Sequence, residues 1–184
     1  MSPISPYASF HESLNGPGDQ RPTAQQIIRD YGLEGKWTGR VVLITGASPG
    51  GLGVEIARAM HSTGANVVIT VRDPAKGDEV VKDIMKDGGQ GGKVEGLTMD
   101  LASFASVKKA AETFLAKYQK LNVLINNAGK SGALYSRRIT GYAHSLQAVM
   151  ACPKGLTEDG FETQLGTNFI GILLLTTTID LQCT

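Results

Sequence analysis

After Arg40, short apolar runs alternate with longer segments in which apolar residues recur at helical spacing. The short runs predict four strands, at Val41–Thr45, Asn66–Val71, Lys93–Met99 and Asn122–Asn126. The longer segments predict helices at Leu52–Ser62, Ala75–Lys86 and Phe104–Tyr118. Because strands alternate with helices of this length, the sequence predicts an α/β fold built from right-handed βαβ units around a mostly parallel sheet.

The two ends of the chain depart from this alternation. Residues 1–22 are rich in Ser, Pro and Gly and predict a flexible leader, followed by a single domain over residues 23–184. Thr23 can cap a short helix that runs through Tyr31. Leu156–Gln164 predicts a helical piece, and Phe169–Asp180 predicts a strongly apolar helix. Between the fourth predicted strand and Leu156, the segment Lys130–Ala148 shows neither helical nor strand periodicity and is interpreted as an irregular insertion.

Composition narrows the classes of protein. A length of 184 residues suits one domain with a sizeable core. The net charge of +1 comes without a basic block, so we expect no nucleic-acid partner. The two cysteines indicate neither a disulfide framework nor a metal site, and the apolar run Ile170–Leu175 is too short to span a membrane. We therefore predict a cytoplasmic protein with no bound metal and no membrane span.

The turn between the first predicted strand and helix is rich in glycine. It contains Gly46, Gly50, Gly51 and Gly53, with Leu52 at the predicted start of the helix. Glycine lets a backbone approach a pyrophosphate closely, and a helix start offers unpaired N–H groups and the positive end of the helix dipole. Ser48 adds a hydroxyl that could bond phosphate or ribose. Taken alone, the turn could also be a tight strand–helix connection without a ligand.

The end of the second predicted strand bears on the choice of cofactor. Dinucleotide folds that take NAD place an acidic residue there to bond the ribose hydroxyls. Here Val71 occupies that place and Arg72 follows, and a guanidinium can pair with a 2′-phosphate. The pattern favours NADP(H) over NAD(H). Asp73 is adjacent, so a small shift in register would reverse the inference, and Arg72 could also be an exposed loop charge.

Three motifs together resemble the short-chain dehydrogenase/reductase family. They are Thr45-Gly46 with its downstream glycines, Met99-Asp100-Leu101, and the run from Leu124 to Gly129. The segment around Arg72 is similar to retinol-dehydrogenase-like and fungal members. The resemblance implies a three-layer, Rossmann-type, doubly wound parallel sheet that is incomplete, with about four strands, and ends in the helix after the fourth strand.

The resemblance also assigns roles to individual residues. Asp100 would meet the adenine with Leu101 beside it, while Asn127, Ala128 and Gly129 would hold the end of the fourth strand near the cofactor. Asn168 resembles the helix asparagine that organises a proton-relay water. The family transfers hydride between a nicotinamide cofactor and a small-molecule carbonyl or alcohol. Its members often pair through the apolar helix that follows, which predicts either poor solubility or a homodimer here.

Two departures from the family pattern concern the turn and the insertion. Leu52 stands where the family has its last glycine, so either the turn carries one extra residue or Gly51 and Gly53 act as the closing pair. Lys130–Ala148 separates segments that the family joins almost directly. This insertion is either a loop of the protein or a retained intron, because Gly129-Lys130-Ser131 can be encoded by bases that include a typical splice donor.

The third departure concerns the catalytic residues. The family uses a Ser and a Tyr-x-x-x-Lys pair, in which the lysine lowers the pKa of the tyrosine. None of the five tyrosines of this chain is followed four positions later by a lysine. We therefore expect a truncated oxidoreductase chain that binds its cofactor without turnover. The alternatives are a non-catalytic dinucleotide-binding module and a mis-spliced gene product.

Overall fold

The sheet of the protein has four parallel strands. The computed structural model describes residues 6–16, 18–88, 92–129 and 154–180, so the insertion Lys130–Ala148 lies outside the described residues. The strands are β1 (Val41–Ile44), β2 (Asn66–Val71), β3 (Val94–Thr98) and β4 (Val123–Ile125), in the order β3-β2-β1-β4. In this register Val42 pairs with Val67 on one side and with Val123 on the other. All carboxyl ends therefore lie along one edge of the sheet.

Helices cover both faces of the sheet. They are α1 (Ala24–Asp30), α2 (Leu52–Ser62), α3 (Pro74–Lys86), α4 (Phe104–Lys117), α5 (Thr163–Leu165) and α6 (Gly171–Asp180), with a π-helical turn at Gly166–Ile170 between the last two. This arrangement confirms the predicted three-layer, doubly wound parallel architecture. Within the described ranges, no helix is long and apolar enough to cross a membrane.

Two apolar clusters hold the layers together. On one face, Val42 and Ile44 of β1 pack with Ile84 of α3. On the other face, the alternate residues Val41 and Leu43 pack with α4 and α6 through the side chains Val107, Phe114, Leu175 and Ile179. Since successive strand residues point to opposite faces, all four residues of β1 are buried. This double burial explains why the first strand reads as a continuous apolar run.

Of the segment Leu156–Gln164, predicted to be helical, Leu156–Glu162 form a turn and only Thr163 and Gln164 are helical, so the prediction is wrong for most of the segment. Leu156 and Glu162 form an isolated antiparallel bridge, and the amide of Thr157 donates to the carbonyl of Phe161 at 2.8 Å. The Thr157 hydroxyl accepts from the amide of Phe161 at 3.2 Å, and Gly160 has a φ of +82°. The hydrogen bond to the Thr157 hydroxyl and the left-handed conformation of Gly160 compete here with helix formation.

The last helical segment begins earlier than the predicted Phe169. It starts at Thr163, where the Glu162 carboxylate accepts from the amides of Gln164 and Leu165 at 3.0 and 2.9 Å. These two bonds to the charged form lower the pKa of Glu162. The side chain at position 162 therefore ends the turn and begins the helix.

The leader carries local structure in its described part. Ala8–His11 form a 3₁₀ turn. The Tyr7 hydroxyl donates to Asp30 Oδ2 at 2.8 Å, and the Gln20 amide donates to the carbonyl oxygens of Phe10 and Ser13 at 3.3 and 2.9 Å. The Tyr7 bond connects the leader to α1, and the two Gln20 bonds join the end of the leader to its earlier residues. The flexibility of residues 1–22 stays a prediction.

Replacement of Phe114 tests the packing between α4 and the sheet. Its ring is 2% exposed and stacks 5.2 Å from Tyr118. We expect Phe114→Ala to lower the free energy of unfolding by about 3–5 kcal/mol, because it leaves a cavity between α4, α6 and β1. Urea titration followed by circular dichroism measures the loss. Met85→Ala is the control, since Met85 is 46% exposed on α3 and should change stability little.

Candidate cofactor site

Hydrogen bonds join the carboxyl ends of β1 and β4. The amide of Thr45 donates to the carbonyl of Ile125 at 3.0 Å, and the Thr45 hydroxyl accepts from the amide of Ala128 at 3.0 Å. The Nδ2 of Asn127 donates to the carbonyl oxygens of Thr45 and Gly46, both at 3.0 Å. The structure thus places Asn127 and Ala128 directly against the start of the glycine turn.

Gly46 begins this turn in a conformation and a space that exclude a side chain. Its φ is +75°, and a Cβ there would lie 2.6 Å from the Cα of Ala128. Its amide donates to both the carbonyl and the hydroxyl of Thr70 at 3.1 Å. Sequence reasoning did not identify Thr70, because a β-branched residue in a strand carries no signal of this second role.

Gly53 closes the turn. A Cβ on Gly53 would lie 2.6 Å from the Gly46 carbonyl oxygen and 2.7 Å from Nδ2 of Asn127. Gly51 is the N-cap of α2 and is buried, whereas Leu52 is the first helical residue and is 66% exposed. Gly53 thus has no room for a side chain, and the choice between the two arrangements considered from the sequence stays a prediction.

Among the described residues, nothing packs against the outer side of Gly50 in this turn. Gly50 has a φ of +72°, and a Cβ there would meet nothing within 4 Å. Ser48 is exposed, and its carbonyl accepts from the amide of Gly51 at 2.9 Å. The N-cap of α2 offers no side-chain hydrogen bond to the helix. Such an uncapped helix start presents N–H groups suited to an anion.

Arg72 lies where the sequence analysis placed it, directly after β2. The strand ends at Val71, which is buried, while Arg72 and Asp73 are exposed. The Asp73 carboxylate accepts from the amide of Ala75 at 3.0 Å and so caps α3. Its negative charge is directed to the helix start. The register that made Arg72 the first residue after the strand is confirmed.

Asp100 and Leu101 follow β3 on the same edge of the sheet. Asp100 Oδ1 accepts from the amide of Ala102 at 2.9 Å, while the Asp100 amide donates to the Ser106 hydroxyl at 2.9 Å. Leu101 is 6% exposed and belongs to the core. The carboxylate of Asp100 is therefore held in a fixed turn before α4. Ser106, which helps to hold this turn, is a residue that the sequence did not indicate, as was Thr70 at the glycine turn.

Asn168 lies in the π-helical turn at Gly166–Ile170. Its Oδ1 and the hydroxyl of Thr167 are buried, and neither has a hydrogen-bond partner among the described residues. π-turns are frequent at functional sites, and a buried polar atom without a partner calls for an explanation such as bound water. The role of Asn168 in a proton relay stays a prediction.

The site residues differ in how closely the structure joins them. Gly46, Gly53, Asn127 and Ala128 are in direct contact, and Gly129 ends the described segment after them. Arg72 and Asp100 follow β2 and β3, the next strands along the same edge. Ligands of open α/β sheets bind outside the carboxyl ends of the strands. Within the described ranges, no group of three or more His, Cys, Asp or Glu side chains could hold a metal ion.

Comparison with protein families decides the assignment. A family model described as short chain dehydrogenase matches residues 40–179. The chain belongs to the short-chain dehydrogenase family. The matched range includes the glycine turn, Arg72, Asp100 and the helix that carries Asn168, so the motifs identified from the sequence belong to one short-chain dehydrogenase domain.

Two similar relatives refine this placement. The chain is 42% identical over 169 residues to short-chain dehydrogenase/reductase prx1 of Penicillium roqueforti. This alignment covers 92% of this chain and 43% of the relative. It is 41% identical over 138 residues to human retinol dehydrogenase 12, covering 75% of this chain and 37% of the relative. The predicted likeness to fungal and retinol-dehydrogenase-like members is confirmed. The chain spans less than half the length of these relatives.

Solved structures of the family share the fold. A metagenomic short-chain oxidoreductase in complex with NADP aligns at a TM-score of 0.56 and 29% identity, over 79% of this chain and 57% of that chain. A citronellol catabolism dehydrogenase of Pseudomonas aeruginosa aligns at a TM-score of 0.58 and 28% identity, over 81% and 52%. These alignments confirm a Rossmann-type sheet of which this short-chain dehydrogenase chain holds a part.

Replacement of Gly53 by alanine tests the close packing of the turn. In a helix, alanine is ordinarily more stable than glycine by up to about 1 kcal/mol. At Gly53 we expect the reverse, a loss of about 1–3 kcal/mol in the free energy of unfolding, because the new Cβ meets backbone. Gly96→Ala is the control, since a Cβ there meets nothing within 4 Å. Equal urea midpoints for the two variants would contradict the packing described.

Proposed function

We propose that this chain forms the dinucleotide-binding part of an oxidoreductase that transfers hydride between NADP(H) and a small-molecule carbonyl or alcohol. The observation that carries the proposal is the glycine turn, in which Gly46, Gly53 and Asn127 pack without room for a side chain. The nicotinamide would supply the hydride, and the protein would supply placement and proton transfer. Family membership supports the class of reaction.

The pyrophosphate is proposed to lie over the start of α2. Gly50 and Gly51 and the amides at the start of α2 would face it, because the helix dipole attracts a negative charge to this end. Ser48 is exposed beside them and can donate its hydroxyl to a phosphate or a ribose. The exposed side chain of Leu52 would then border the ligand.

The adenosine end is proposed to lie along β2 and β3. Oδ1 of Asp100 is occupied by Ala102, and within the described part of the chain Oδ2 has no hydrogen-bond partner, so it can accept from the adenine amino group. Arg72 is exposed at the end of β2 and would pair with a 2′-phosphate. A solved relative in complex with NADP supports this preference over NAD.

The catalytic part of the proposal is narrower. Asn168 is the one family catalytic position that the sequence analysis assigned, and the 184 residues contain no Tyr-x-x-x-Lys pair. We therefore expect these residues alone to bind the cofactor without transferring hydride. A non-catalytic dinucleotide-binding module and a mis-spliced gene product remain the competing hypotheses. Sequencing of the transcript and gene distinguishes them, since an in-frame Ser and Tyr-x-x-x-Lys would restore the enzyme. Cytoplasmic location also stays a prediction.

Reversal of the charge at Arg72 tests the cofactor preference. We expect Arg72→Glu to weaken NADPH binding about tenfold or more, because it replaces a charge-assisted pair by repulsion. NADH lacks the 2′-phosphate and should lose about twofold or less by the same reasoning. Isothermal titration calorimetry measures both affinities. Lys82→Glu, an exposed site on α3, makes the same change in net charge and should leave both unchanged. Equal losses for the two cofactors in Arg72→Glu would remove the preference for NADP.

A homodimer through the last helical segment is the second part of the proposal. Leu165, Phe169 and Leu173 recur every four residues and are 49%, 62% and 49% exposed. This spacing puts them on one helical face. An exposed apolar stripe of this kind is typical of a protein–protein contact. The family resemblance suggests a second copy as its occupant.

Replacement of Phe169 tests this contact. We expect wild-type chain to show a concentration-dependent dimer by sedimentation velocity, and Phe169→Glu to remain monomeric, because the charge would be buried unpaired in the interface. Phe10→Glu, at a ring that is 40% exposed in the leader, should dimerise as wild type does. A wild-type chain that stays monomeric over the accessible concentrations would contradict the proposed dimer.

A further inference from the structure

The turn at Leu156–Glu162 docks onto the segment that connects β3 to α4. The amide of Glu158 donates to the carbonyl of Ala102 at 3.2 Å, and the amide of Phe104 donates to Oδ2 of Asp159 at 2.8 Å. The rings of Phe104 and Phe161 lie 5.4 Å apart. Two hydrogen bonds and one aromatic contact thus connect segments that are more than fifty residues apart.

Asp159 supplies α4 with a cap that its own sequence lacks. The N-cap residue is Ser103, and its side chain makes no capping hydrogen bond. The carboxylate of Asp159 takes that place and bonds the amide of Phe104, the first residue of α4. A negative charge at this end of a 14-residue helix is favoured by the unpaired amides and by the helix dipole.

The same connection holds the residue proposed to meet adenine. Ala102 is bonded on both sides, because its amide donates to Oδ1 of Asp100 and its carbonyl accepts from Glu158. Gly171 of α6 also packs against the connection between β3 and α4, because a Cβ on Gly171 would lie 2.5 Å from the Leu101 carbonyl oxygen. A backbone rotation near Ala102 would therefore release the carboxylate of Asp100.

We propose that Asp159 is a positioning residue for adenine recognition. It fixes the start of α4 and, through the turn that carries it, the Asp100–Ala102 hydrogen bond, so that Asp100 faces the adenine amino group of the dinucleotide. Asp159 itself touches no ligand. This inference deepens the proposed function and, for its effect on binding, rests on it.

Binding measurements on the full chain test the proposal. We expect Asp159→Ala to weaken NADPH and NADH about two- to thirtyfold, the range that loss of a helix cap would give if it were carried over fully to binding. Reduced nicotinamide mononucleotide, which lacks adenine, should bind as it does to wild type. Asp159→Asn should restore most of the affinity, because its amide oxygen can still accept from Phe104. Glu158→Ala is the matched control, since the interaction uses the backbone of Glu158. Equal loss for all three probes, or no loss for the dinucleotides, would overturn the proposal.

Hydrogen exchange without ligand provides a second, independent measurement. In Asp159→Ala we expect faster exchange of the Ala102 amide, which donates to Asp100, while the amide of Val68 in β2 exchanges as in wild type and shows that the fold is kept. Unchanged exchange at Ala102 would overturn the positioning role whatever the binding data show. If wild type bound neither dinucleotide, the proposed function would fail, and the exchange rate at Ala102 would still decide whether Asp159 positions Asp100.

Discussion

The side-chain amide of Asn127 holds the carboxyl ends of β1 and β4 in a single geometry, and the rest of the site depends on this contact. Its nitrogen donates to two successive carbonyl oxygens, those of Thr45 and Gly46. Bonds of this kind satisfy backbone oxygens that leave the sheet where the chain turns. They also bring the amide within 2.7 Å of the place where a Cβ of residue 53 would be. Glycine at position 53 is therefore required by the packing of Asn127 and of the Gly46 carbonyl, and glycine at position 46 by its positive φ and by the backbone of Ala128.

The layers of the fold bring this turn next to the other proposed contacts. Because apolar residues fill both faces of β1, the strand can lie at the centre of the described sheet with β2 on one side and β4 on the other. Each strand then delivers one element to the same edge: the glycine turn after β1, Arg72 after β2, and Asp100 after β3. Helix α6 reaches this edge from the second face, where Gly171 packs against the backbone of Leu101. The proposed cofactor contacts and the core packing thus share the same few segments.

The strands, helices and glycine turn of the βαβ region could be predicted from the sequence because each depends on local periodicity and on residues close along the chain. The contacts that fix the site depend instead on residues far apart. Thr70 meets Gly46 across 24 positions, and Asp159 meets Phe104 across 55, and neither leaves a pattern in the sequence. The helix predicted at Leu156–Gln164 failed for a related reason, since the Thr157 hydroxyl and the left-handed Gly160 favour a turn over the apolar spacing. Family resemblance supplied the candidate site residues, while the structure showed what holds them in place.

The central claim is that the glycine turn after β1 binds a dinucleotide. An amide chemical-shift titration of the isotopically labelled chain with NADPH tests it most directly, because it locates binding as well as detecting it. The account predicts saturable shifts at the amides of Gly50–Gly53, Arg72 and Ala102, and none at Gly88, beyond the far end of α3. Absence of saturable shifts at the turn in a folded chain, with either NADPH or NADH, would contradict the account.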